Sequence, residues 1–278
     1  MEIIRIVADS SADMLCEEAA DFKSVPMKLI TEEKEFVDDA ALDVDAMAAY
    51  FAGYKGKSKS SCPNVSDWIE AFGDAKYVIC VTITSNLSGS YNAACAAKQI
   101  YESEHEGRQV FVLDTLTAGP EMKLAVEQLQ SYIEDGMPFM QICSKIQDYI
   151  KTTGLLFMLK TMKNLANNGR VSPFVAGIAG LVGIHVVGRA SAQGDLEPLN
   201  KCRGEKKALE AIVKRLQTEC LQKGKVRIAH CNNLAAAETL RARIAECLPT
   251  VQTVIYKCRG LCSFYAEQGG LLIGYERG

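Results

Sequence analysis

The sequence is poor in the features that announce several common functions. It holds only three histidines (His105, His185 and His230), and none has a second His or Cys at metal-ligand spacing or belongs to an H-E-x-x-H element. There is no G-x-G-x-x-G after a strand-like run, no Walker A loop and no G-x-S-x-G elbow. A Ser-His-Asp triad stays open, because such triads assemble in space, but three histidines leave few candidates. Lys plus Arg number 31 against 34 Asp plus Glu, a formal net charge of −3, so no broad nucleic-acid or anionic-membrane surface is expected. Apolar runs stop well short of the roughly 20 residues of a membrane span. The opening Met1-Glu2-Ile3-Ile4-Arg5-Ile6-Val7 enters a strand-like run directly, without the basic segment, apolar stretch and small-residue cleavage site of a signal peptide. A cytoplasmic protein with no transmembrane segment is the expectation.

Cysteine, by contrast, is plentiful, with 11 residues scattered from Cys16 to Cys262 and no C-x-x-C among them. The closest pair, Cys258 and Cys262, has no second pair to complete a zinc site. Disulfide frameworks belong to small secreted chains. Cys80 inside Val78-Ile79-Cys80-Val81 and Cys231 at the end of Val226–Cys231 read as small core residues. Cys62 differs, because it sits in a polar segment.

The 278 residues are 48% hydrophobic and 23% charged, enough for two medium globular domains. Strand-like runs alternate with helical ones: Ile3–Ala8, Val25–Ile30, Lys76–Ile83 and Gln109–Leu113 read as extended, and segments from Asp43, from Asn64 or Ser66, after the turn Thr84-Ser85-Asn86, from Ala118 and from Pro138 read as helices. Lys55–Ser61 reads as a loop. After about residue 152 the pattern changes. A strand at Gly154–Leu159 precedes a glycine-spaced stretch, Phe174–Gly183, whose Gly177, Gly180 and Gly183 suit close packing. A hairpin over 184–202, an amphipathic helix from Glu205 to Lys223, a strand at Val226–Cys231, a helix at Leu234–Cys247 and strands at Val251–Tyr256 and Leu271–Tyr275 complete the chain. The expected fold class is α/β, with one domain over 1–152 and a second over 153–278.

Three segments concentrate small hydroxyls: Asp9-Ser10-Ser11, Ser60-Ser61-Cys62-Pro63 and Thr84-Ser85-Asn86-Leu87-Ser88-Gly89-Ser90-Tyr91. Each is placed at a strand end. Helix N-termini there would offer N–H groups to an anion, serine hydroxyls would donate without adding charge, and Gly89 would admit a ligand to the backbone. The competing reading makes Ser85 or Ser88 a plain helix cap. His185, in an apolar strand, reads as a satisfied core residue, and His230 as a strand-end group that is either structural or part of a site.

Six elements in order resemble the DegV family of bacterial fatty-acid-binding proteins. They are Val7–Asp13, Ser60–Pro63, Ile83–Tyr91, Asp114-Thr115, Leu165-Ala166-Asn167-Asn168-Gly169-Arg170-Val171-Ser172 and Lys201–Leu209. The resemblance implies two α/β domains with a lipid site between them and no catalysis. One long-chain fatty acid, such as palmitate, stearate or oleate, would be enclosed without any cofactor. It places carboxylate-binding hydroxyls at Ser60 and Ser88, with Ser61, Ser85 and Gly89 alongside, and makes Arg170 and Arg203 brace loops or face a partner. In some members that partner is a fatty acid kinase. The sequence departs where many relatives carry H-x-G-P-G: here stands Ser263-Phe264-Tyr265-Ala266-Glu267-Gln268-Gly269-Gly270, so the histidine's head-group role is either missing or moved to Tyr265 or Glu267.

The stretch Phe174–Val187 could wall an acyl tunnel or simply be a tightly packed helix. Two other readings compete with a carrier: a hydrolase or phosphotransferase with Asp9 or Asp114 as nucleophile, and an interaction module docking through Lys201, Arg203, Lys206 and Lys207.

Overall fold

The computed structural model describes residues 4–15, 21–172, 183–220 and 222–278, together with Gly177. Three sheets organise them. The first is wholly parallel, in the order β2 (Phe22–Val25), β1 (Ile4–Asp9), β6 (Tyr77–Thr82), β7 (Gln109–Asp114). Side chains alternate across a strand, so these apolar runs feed two cores at once. Val7, Val78, Cys80 and Val110 pack with Trp68, Phe72, Ala94 and Tyr101 of helices α2 (Val65–Phe72) and α3 (Ser90–Glu104). Ile6, Ala8, Ile79 and Val81 pack on the other side with Met122, Val126, Leu129 and Ile142 of α4 (Pro120–Glu134) and α5 (Phe139–Tyr149).

The second sheet is a small antiparallel one, β4 (Glu35–Val37), β3 (Lys28–Thr31), β5 (Ser58–Ser61), with α1 (Val44–Gly53) started by the Asp43 carboxylate accepting from the Ala46 amide. The third is mixed and six-stranded: β10 (Leu196–Arg203), β9 (Ile184–Ala190), β8 (Thr153–Leu159), β13 (Leu271–Glu276), β11 (Lys225–His230), β12 (Gln252–Lys257). Helices α7 (Glu205–Glu219) and α8 (Leu234–Cys247) cover one face through Ala208, Ile212, Leu216, Ala237 and Leu240. Two short helices contact the first half of the chain: α9 (Gly260–Ala266) through Leu261 and Phe264, and α6 (Lys163–Asn167) against β5.

The strands thus divide between residues 114 and 153, but two helices bridge the division. Helix α4 fills the space between the parallel and mixed sheets. Gly274 of β13 makes this possible: a Cβ there would stand 2.5 Å from the Pro120 carbonyl and 2.6 Å from the Glu121 nitrogen. Arg227 of β11 reaches Glu127 of α4 with two-pronged geometry, 2.8 and 2.7 Å. Helix α9, from the second half, adds Leu261 and Phe264 to the first half's core.

Several expectations need correction. Residues 25–30 are not one strand: after Pro26, which has no N–H for a ladder, the chain leaves the parallel sheet and begins β3 in the antiparallel one. Residues 58–61, expected within a loop, form β5, whose lysine and serine content suits a sheet edge. Ser60 and Ser61 therefore lie within a strand rather than at a parallel strand's carboxyl end. Helix α7 stops at Glu219, where Cys220 forms a bridge to Arg277. Among the described residues nothing stands within 4 Å of a Cβ built on Gly177 or Gly183, and Gly183 adopts φ +76°. Gly180 lies outside the described residues. His185 is buried, yet neither ring nitrogen has a hydrogen-bond partner among the described residues; burial, and secondarily Lys160, hold its pKa below the usual value.

Of the ten described cysteines, all free, seven are buried; Cys16 lies outside the described residues. No described helix is long and apolar enough to cross a membrane.

Candidate functional site

A cavity of about 290 Å³ opens between the parallel and mixed sheets. Its floor comes from one face of β8: Leu155, Phe157 and Leu159 alternate along the strand, joined by Leu272 of β13. The first half of the chain supplies Met27, Ile83 and Ala118. Helix α9 forms a wall with Leu261, Cys262, Tyr265 and Ala266, which recur on one side of its two turns. The expected wall at 174–187 is different: residues 184–187 do not line the cavity, and 174–176 and 178–182 lie outside the described residues.

Polar groups gather at one end. Ser60 and Ser61 come from β5, Cys62 follows them, Ser88 and Gly89 precede α3, and Arg170 follows α6. The Ser60 and Tyr265 hydroxyls share a hydrogen bond of 2.6 Å. Burial raises the Tyr265 pKa, so its hydroxyl keeps its proton at neutral pH and can donate. The Arg170 guanidinium lies 6.0 Å from the Tyr265 ring centre, donates to the Leu87 carbonyl at 3.1 Å and to the Asn168 carbonyl at 2.6 Å. Asn168 also accepts from the Ser60 amide at 3.3 Å. A Cβ on Gly89 would stand 3.3 Å from the Cys62 sulfur, so glycine keeps that corner open. Ser88 Oγ accepts from the Ser90 amide at 3.3 Å and lines the cavity, but the N-cap position of α3 is Gly89 and no side chain caps the helix.

Of the eight residues singled out from the sequence, six line this cavity: Ser60, Ser61, Ser88, Gly89, Arg170 and Tyr265. Ser85 does not; its amide donates to the Asp114 carboxylate at 3.2 Å, a contact that shapes the turn. Arg203 is exposed at the end of β10 and lies off the cavity. Glu267 also stands away from it: its carboxylate accepts from the Asn164 amide at 3.1 Å, and burial raises its pKa. His230 does not line the cavity, and its Nδ1 accepts from the Asn233 amide at 3.3 Å.

The Asp9-Ser10-Ser11 turn lies behind the site. Asp9 is fully buried and accepts from the Ile83 amide at 2.9 Å, the Ser90 hydroxyl at 2.6 Å, and the Ser11 amide and hydroxyl. A carboxylate so enclosed and so occupied is poorly placed as a nucleophile. Asp114 likewise accepts from the Ser85 and Leu116 amides. Sequence reasoning misses Asn168, Met27 and Cys262 as site residues; Asn168 stands inside the Leu165–Ser172 element, whereas the other two carry no local signal.

Comparison with known proteins agrees with this architecture. The sequence model of the DegV family, described as an uncharacterised protein family, matches residues 3–277. A DegV domain-containing protein of Streptococcus pneumoniae is 41% identical over 276 residues, 98% of each chain. A solved DegV family protein from Eubacterium eligens, loaded with heptadecanoic acid, superposes with a TM-score of 0.97 at 41% identity, over 99% of this chain and 100% of its own. The Streptococcus pneumoniae Fatty Acid Kinase B3 protein, loaded with linoleic acid, gives 0.96 at 41% identity over the full length of both chains. On the match over nearly its whole length, the chain belongs to the DegV family.

Proposed function

We propose that this protein is a non-catalytic carrier that encloses one long-chain fatty acid between an N-terminal domain (1–152) and a C-terminal domain (153–278). The single observation that carries the reading is the cavity itself: apolar along its length, with serine hydroxyls, a protonated tyrosine and an arginine collected at one end. That is the polarity of a fatty acid. Burial of each methylene contributes about 0.8 kcal/mol, so an acyl chain supplies most of the affinity. Ser60, Ser61, Ser88 and Tyr265 would donate to the carboxylate, the Gly89 backbone would approach it closely, and Arg170 would offset its charge. Relatives at 41% identity hold heptadecanoic and linoleic acids, which supports the ligand class.

The similarity to a protein named for a fatty acid kinase supports a further element of the proposal, that the bound acid is presented to such a kinase. Arg203, exposed and away from the cavity, would then contact the partner rather than the ligand. The cytoplasm is the compartment in which such an exchange takes place. Protein purified without added lipid, denatured and analysed by mass spectrometry should release one fatty acid per chain. Protein that releases none and also fails to take up labelled palmitate or oleate would refute the carrier reading.

A further inference from the structure

The wall that brings Tyr265 to the head-group end is a seven-residue helix whose first amides are capped from far away in sequence. Asp38, in the loop after β4, accepts from the Gly260 amide through Oδ1 at 2.8 Å and from the Leu261 amide through Oδ2 at 2.8 Å. Asp13 accepts from the Arg259 amide at 2.9 Å. The first amides of α9 are therefore satisfied by two carboxylates from the first half of the chain, with no cap from a side chain of its own segment. The contact is tight, for a Cβ on Gly260 would stand 2.6 Å from Asp38 Cγ. Asp38 Oδ2 also accepts from the Ser10 hydroxyl at 2.9 Å, and that hydroxyl accepts from the Met27 amide at 3.0 Å. One buried carboxylate thus ties together Met27 and Leu261, which both line the cavity, and orients the helix carrying Tyr265.

We infer that Asp38 is a positioning residue for fatty-acid recognition: it fixes α9 so that the Tyr265 hydroxyl meets Ser60 at the head-group end. Asp38 does not line the cavity, so its effect on a ligand there runs through α9. This rests on the carrier reading above, and the measurement separates the two. Palmitate and hexadecanol share a chain length and differ in the carboxylate. A merely structural cap would loosen both equally; a positioning residue acts on the carboxylate.

The test compares binding of both ligands to wild type, Asp38→Asn, Tyr265→Phe and the double variant. Asp38→Asn should weaken palmitate about tenfold and hexadecanol less than about threefold, and in the Tyr265→Phe background it should cost palmitate less than about threefold further. Ser10→Ala keeps the carboxylate and removes one of its supports, so it should shift palmitate binding the same way by a smaller factor; it carries the test if Asp38→Asn does not fold. Equal losses for the two ligands, or effects of Asp38→Asn and Tyr265→Phe that multiply independently, would overturn the inference while leaving the carrier intact. Wild type that binds no palmitate would overturn the carrier reading itself.

Discussion

Two hydroxyl-rich turns leave adjacent strands of the parallel sheet. The one after β1, Asp9-Ser10-Ser11, is buried throughout and every hydroxyl in it is spent on protein groups: Ser10 on Asp38 and the Met27 amide, Ser11 on Asp9. The one after β6 leads to Ser88 and Gly89, which face the cavity. Residue types and sheet position are alike, and what differs is what lies opposite. The β1 turn is covered by α4 and α9, so its polar groups must satisfy one another. The β6 turn borders an apolar space with no polar partner beyond its own end. A cluster of serines at a strand end thus marks either a scaffold or a site, and the covering helix decides which.

The comparison breaks most sharply at Asp9. Asp9→Ala would strand the Ile83 amide and two serine hydroxyls in the interior, and denaturant unfolding should show a loss of about 3–5 kcal/mol. The cavity-facing hydroxyls should behave oppositely. Ser60→Ala combined with Ser88→Ala should leave unfolding within about 1 kcal/mol of wild type and weaken palmitate by about 10- to 100-fold in a direct binding titration. A double variant that unfolds early while binding normally would merge the two classes of turn.

A smaller effect concerns Glu121, at the start of α4. Its Oε1 accepts from the Thr153 hydroxyl at 2.7 Å, and burial raises its pKa to about 7 against the lowering effect of the Thr117 and Thr153 hydroxyls. A carboxyl with a raised folded-state pKa holds its proton more tightly folded than unfolded. Its contribution to stability is therefore full below the unfolded value of 4.5 and is lost as pH rises through about 7. Glu121→Gln should then gain about 1–2 kcal/mol over wild type at pH 8 and little at pH 4, read from Tm at the two values. The smallest expected effect is that of Arg203→Ala, which should leave palmitate affinity within about twofold, as suits an exposed residue away from the cavity. A pull-down with a fatty acid kinase is where that variant should show its loss.

Much of the fold is legible from local pattern. β1, β6, β7 and β8 are written as β-branched and aliphatic runs that end in polar turns, and the amphipathic spacing of α7 is plain. The head-group serines stand in motifs at recognisable positions. What local pattern cannot carry is anything made by two distant segments. Helix α9 begins with glycine, is seven residues long and draws its cap from residues more than 220 positions away, so no periodicity announces it. Tyr265 is reached only because a histidine is missing from its neighbourhood, and its bond to Ser60 spans 205 positions. β5 is hidden by its lysines and serines, which mark an edge strand as readily as a loop.

Helix α4 belongs to the first half of the chain but seats itself on β11 and β13 of the second, through Gly274 and the Arg227–Glu127 pair. During synthesis the parallel sheet can assemble as soon as β7 has emerged, since domains generally form as units, N-terminal first. The face of α4 that meets β11 and β13, however, has only β8 beside it until residues 225–276 leave the ribosome. The nascent chain therefore passes through a stage with an uncovered helix face and an unpaired Glu127, and a truncation anywhere before β13 would leave that face exposed to chaperones and proteases for good.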